Sequence, residues 1–130
     1  QNTHAIGYTS NGISATVAAS TACDTGTSKT IAADQWAAML IVGDQAGALT
    51  GKWTADAASE AAAITLVKSV SFNANQRPLG YVTVQTASSN TWTAGTDALE
   101  GGTGGNPSAD TNYYDYRGVK LRVGFYGLQN

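Results

Sequence analysis

Residues 77 to 99 read RPLGYVTVQTASSNTWTAGTDAL, and their alternation points to the fold class. Pro78 fixes its own φ and pushes Arg77 toward an extended conformation. Beyond it, Tyr81, Thr83 and Gln85 share one face of a strand while Val82 and Val84 share the other. The stretch therefore predicts a half-buried strand. "ASSN" favours a turn, "TWTAG" can start a return strand, and "GTDAL" closes the unit. Alternation, proline and turn residues account for the whole segment as scaffold, without any chemistry.

Outward from this strand the same signals recur at short spacing. "HAIGYT" and "ISATVAAS" flank Asn11-Gly12, a dipeptide suited to a two-residue type I′ turn, which predicts a hairpin over residues 4–19. "QWAAMLIVGD" is a continuous apolar run too short for a typical core helix, so Gln35 to Val42 reads as a central strand buried on both faces, with a helix the alternative that periodicity alone leaves open. A turn at Asp44 to Gly47 and a strand from about Ala48 to Thr54 complete a second hairpin. In "ADAASEAAAITLVKSV" the alanine run from Ala57 to Ala63 predicts a short helix with Asp56 as N-cap. From Leu66 or Val67 onward a strand, or an extended segment ending at Asn73, is expected. Residues 100–112, "EGGTGGNPSADTN", read as a flexible glycine-rich loop. The last strand should place Val119, Leu121, Val123 and Phe125 on one face. The expected architecture is one mainly β domain over residues 1–130, a single antiparallel β-sandwich or rolled sheet with a short Ala-rich helix.

Composition narrows the function classes. Seven basic and nine acidic residues give a net charge of −2 with no run of either sign, which argues against nucleic acid or an anionic membrane as partner. Charged residues make up 12% of the chain, about half the share usual in soluble domains, so the surface must be built from hydroxyl, amide and small residues. Such a surface is familiar in extracellular fibres, pilins, capsids and phage appendages. The one cysteine, Cys23, excludes an internal disulfide. No apolar run approaches the ~18 residues that span a bilayer. Residue 1 is Gln rather than Met, so either an N-terminal segment was removed or the numbering omits it.

Reactive constellations are sparse. His4 and Cys23 would need a third, orienting group to form a nucleophilic pair, and a solvated terminal histidine is the plainer reading. Zinc requires about four ligands, and His4 and Cys23 are the two soft ones present. Asp110, Asp115 and loop carbonyls could hold calcium, but without EF-hand spacing they read as solvated acids. "GGTGGNP" lacks the spacing of a phosphate-binding loop. Glu60, Asp97 and Glu100 offer carboxylates for glycoside chemistry, with nothing to fix their separation. Trp36, Trp53, Trp92, Tyr113, Tyr114 and Tyr116 could stack on sugars, yet core and subunit interface are the competing uses of such residues. The expectation is a protein with no catalytic residue, cofactor or metal.

From Thr30 to about Leu99 the chain resembles small structural proteins of tailed bacteriophages. The likeness rests on "WAAMLIVGD", "QAGALTGKWT", "ADAASEAAA" and, above all, "SFNANQRPLGYVTVQTASSNTWTAGTDAL". Relatives of that kind carry "PAVPAG"-like residues where this chain has "LVKSVSFNANQ". The resemblance implies a non-enzymatic virion protein of the head-decoration or head-fibre type. It would bind the major capsid protein and copies of itself on the capsid exterior, as a homo-oligomer with a trimer favoured. Tyr113, Tyr114, Tyr116 and Trp92 are the expected assembly contacts. A secreted pilin or fibre subunit and a carbohydrate-binding module are the alternatives.

Overall fold

A computed structural model describes residues 4–19, 21–24, 29–97, 108–115, 118 and 120–121. The chain builds its architecture around β5 (Trp36–Asp44), the apolar run, and β7 (Gln76–Thr86), the strand that follows Arg77 and Pro78. They pair antiparallel from Trp36 opposite Gln85 to Asp44 opposite Gln76, with a bulge that leaves Leu79 unmatched beside Pro78. A proline cannot donate to a ladder, and a bulge is where a sheet tolerates one. β6 (Leu49–Trp53) and β9 (Ser108–Asp115) add on either side to make a four-stranded antiparallel core, β9-β7-β5-β6. Two-residue strands extend its ends: β10 (Lys120–Leu121) beside β9, and β3 (Cys23–Asp24) parallel to β6.

Both faces of this sheet are covered, and the residues sort by register. On one face Ala37, Met39, Val82 and Val84 pack under a short ribbon in which β4 (Thr30–Ile31) pairs with β8 (Trp92–Thr93), burying Ile31, Trp92 and Ala94. On the other face Ala38, Leu40, Val42 and Tyr81 pack under α1 (Glu60–Val67) through Ala63 and Val67. The alternation of β7 is as the sequence predicts, but the strand is not half-buried. Tyr81 is 6% exposed and Thr83 is 0%, because the helix closes the face left for solvent.

The helix begins later than the alanine run predicts. Ser59, not Asp56, is the N-cap, its Oγ accepting from the Ala62 amide at 3.2 Å. Asp56 instead pairs with Lys29 and accepts from the Ala32 amide at 2.9 Å, while Ala57 bridges to Trp36. Leu66 and Val67 end the helix rather than starting a strand, since Val67 gains a buried seat on the sheet. The strand "TWTAG" forms as β8, but its partner is β4 and not β7.

The first hairpin forms as expected, β1 (Ile6–Ser10) against β2 (Ile13–Val17), with Asn11 at φ 50° and Gly12 at φ 77°. It is pinned on the β5–β6 turn. The Tyr8 hydroxyl donates to the Asp44 carbonyl, Gln45 Nε2 donates to the Ser10 carbonyl, and Gly47 at φ 85° lies against the Thr16 carbonyl, where a Cβ could not fit. Of the expected loop at 100–112, residues 108–112 belong to β9, and the rest lies outside the described residues. So do Val119, Val123 and Phe125 of the expected last strand, of which Leu121 is in β10. The result is a mainly β protein of antiparallel sheets, with one short helix and no closed barrel among the described residues.

Candidate functional site

The densest convergence of polar side chains among the described residues surrounds Glu60. Ser59 caps α1 and fixes where it starts, so Glu60 is the first helical residue and lies beside the sheet. Register supplies its partners. Thr83 of β7 sits opposite Asn112 of β9, and Tyr81 opposite Tyr114 two pairs along, so all four side chains share the helix-side face. Glu60 Oε1 accepts from Tyr114 OH at 2.7 Å, Thr83 Oγ1 at 2.8 Å and Asn112 Nδ2 at 2.9 Å. The Tyr114 ring stacks on Tyr81 with centroids 4.8 Å apart and planes 14° from parallel. Burial pushes the Tyr81 phenol above its ordinary value, and the carboxylates of Glu60 and Asp115 push it further the same way.

Chemically this is an anchor. A general base must turn its oxygen toward a substrate proton, whereas Oε1 spends its acceptor capacity on three donors of the same chain. Those donors come from two strands and the acceptor from the helix, so one carboxylate ties three elements together. The tie also satisfies Thr83, which a fully buried strand position would otherwise leave costly.

Apolar hollows flank the sheet. One of about 220 Å³ opens below the helix between Leu40, Val67, Val70, Phe72, Pro78 and Tyr81. Another of about 270 Å³ lies on the opposite face between Ile6, Cys23, Ile41, Leu49, Leu79 and Tyr113. Neither has the set of convergent polar groups that orients a small ligand.

The residues singled out by sequence scatter. Trp92 is 3% exposed, a core residue whose ring meets Trp53 at 5.5 Å. Tyr113 and Tyr114 point to opposite faces of β9, packing with the ribbon-side and helix-side cores respectively. Tyr116 and Glu100 lie outside the described residues, as do the side chain of Asp110 and the glycine-rich residues 101–107. Asp97 accepts from the Thr93 amide at 2.7 Å and closes the turn after β8. Among the described residues no group of three or more His, Cys, Asp or Glu could hold a metal, and no helix is long and apolar enough to cross a membrane.

Sequence reasoning missed Thr83 and Asn112 as partners of Glu60. The available signal was a hydroxyl in the middle of an apolar strand, and an Asn two residues before a Tyr on what proves to be the neighbouring strand. No known family model matches the chain, and neither a curated protein nor a solved structure matches it.

Proposed function

We propose that this chain is a structural assembly protein of a virion, decorating or stabilising the outside of a capsid. In this reading it binds the major capsid protein and its own copies, as a trimer. The observation that carries the proposal is the use made of Glu60. The best-arranged carboxylate among the described residues is consumed in holding α1, β7 and β9 together. A protein that must be rigid and present surfaces uses a half-buried acid in that way. The outward face of the first hairpin supports the same reading, since Gly7, Thr9, Ser14 and Thr16 make an exposed neutral surface of small and hydroxyl residues. The phage-like order of motifs between Thr30 and Leu99 supplies the virion context.

Of the contact residues expected from sequence, Tyr113 and Tyr116 stay in the proposal. Tyr114 is committed to Glu60 and to the ring of Tyr81, and Trp92 to the core. Replacing Tyr114 would loosen the fold, and Tyr113 packs on the ribbon-side core, so Tyr116→Ala is the variant suited to an incorporation assay.

Electron microscopy of the native assembly, with an antibody raised against the purified chain, tests the function. A periodic coat on a closed shell is expected. Labelling along a filament would replace the proposal with the fibre reading, and a particle without label would reject it.

A further inference from the structure

We propose that the outer edge of β1 is a docking site for an extended acidic segment of a partner protein, which adds as a third strand with a carboxylate on Arg77. The inference does not depend on the virion reading. It begins with the ladder of the first hairpin. Ser10 and Ile13 flank the two-residue turn, so they are a hydrogen-bonded pair, and pairing alternates from there. Gly7 and Thr9 accordingly turn their N–H and C=O groups away from β2. No described strand pairs with them there.

The corresponding edge of β2 is different, because the Gly47 backbone crowds the Thr16 carbonyl. The open edge is therefore that of β1, and it is held ready by Tyr8 on Asp44 and Gln45 on Ser10. A two-stranded ribbon is marginal alone, so a third strand stabilises the hairpin as well as the complex.

A groove of about 650 Å³ runs along this edge, with β1 on one side and Arg77, Pro78 and Leu79 on the other. The second wall is exposed by the topology. Pairing between β9 and β7 stops at Asp115 opposite Gly80, so the three residues before Gly80 have no neighbour on that side among the described strands. Among the described residues no heavy atom lies within 4 Å of where a Gly7 Cβ would sit, so the face of the strand is open there. Pro78 and Leu79 offer an apolar seat to alternate side chains of an incoming strand.

Charge selects the occupant. Arg77 is exposed, and its guanidinium has no ion pair or side-chain hydrogen bond among the described residues, whereas Lys29 is paired with Asp56. A guanidinium beside a strand edge favours a carboxylate, which it can hold through two parallel hydrogen bonds. The backbone edge gives the partner direction and register, and Arg77 gives it sign.

The test is titration of the isotope-labelled full chain with two blocked pentapeptides, Thr-Val-Glu-Val-Thr and Thr-Val-Lys-Val-Thr, followed by amide chemical shifts. The acidic peptide should move the amides of Gly7 and Thr9. The lysine peptide, or the Arg77→Gln chain, should bind roughly two- to fivefold more weakly, the scale of one solvated charge-assisted contact. N-methylating the peptide valines should abolish the shifts without altering the protein. Equal response to both peptides, no shift at Gly7 and Thr9, or indifference to N-methylation would overturn the proposal. So would acetate alone reproducing the shifts, shifts that follow protein concentration without peptide, or exchange-protected Gly7 and Thr9 amides in the free chain.

Discussion

Tyr81 shows how a residue's chemistry is set by what covers it. In sequence it is one aromatic in an alternating strand; in the fold it is buried against Tyr114 and faces the carboxylates of Glu60 and Asp115. Its phenol is raised above the ordinary value of 10.0, so the folded protein resists its ionisation. The linkage follows directly. Below the unfolded pKa both states keep the proton and nothing is lost; above it the unfolded chain releases the proton first, so stability falls as pH rises through the folded value. Tyr81→Phe keeps the ring and removes the proton. It should match the parent in urea unfolding at neutral pH and lose less stability from about pH 10 upward. A decline as steep as the parent's would show that other groups dominate. Tyr8, raised by burial and then by Asp44, contributes to the slope that remains.

At the scale of elements, the helix is placed by its cap and by one side chain. Alanine propensity located a helix in this region but set it too early, because Asp56 and Ser59 are both good caps and the sequence does not rank them. Tertiary contacts do: Asp56 is taken by Lys29 and the Ala32 amide, leaving Ser59 for the helix. Glu60 then fastens α1 to β7 and β9. Glu60→Ala should cost about 1.5–3 kcal/mol, since the lost hydrogen bonds have a charged acceptor and leave the fully buried Thr83 hydroxyl unsatisfied. Amide exchange in Thr111 to Asp115 should accelerate with it. A lowered melting temperature with unchanged exchange in β9 would assign the loss to the helix alone.

For the whole molecule, β5 and β7 supply both cores, one under the ribbon and one under the helix. Neither core can be lost without exposing the back of the other, so the layers should unfold together. In a Trp36→Phe chain, which removes the one tryptophan packed on the helix-side core, fluorescence from Trp53 and Trp92 on the ribbon side and far-ultraviolet circular dichroism should give coincident thermal transitions. An earlier fluorescence transition would mean that the β4–β8 ribbon detaches independently. The pairing of that ribbon was not readable from sequence. Thr30 and Thr93 are 63 residues apart, and "TWTAG" carries no mark of whether it returns to β7 or crosses over the sheet.

By itself the sequence determined what depends on neighbours along the chain. Asn11 and Gly12 dictate a tight turn because they tolerate positive φ, the apolar run from Gln35 to Val42 favours a strand largely buried on both faces, and Pro78 dictates an extended entry to β7. Tertiary structure alone decided what depends on residues far apart meeting. It chose which cap begins the helix, which strand β8 joins, why Thr83 is buried, and where a carboxylate holds three elements at once. The physical reason is that local conformational preference is written into each residue, whereas hydrogen-bond partners and desolvation arise only when strand residues 22 to 63 positions apart are brought into register.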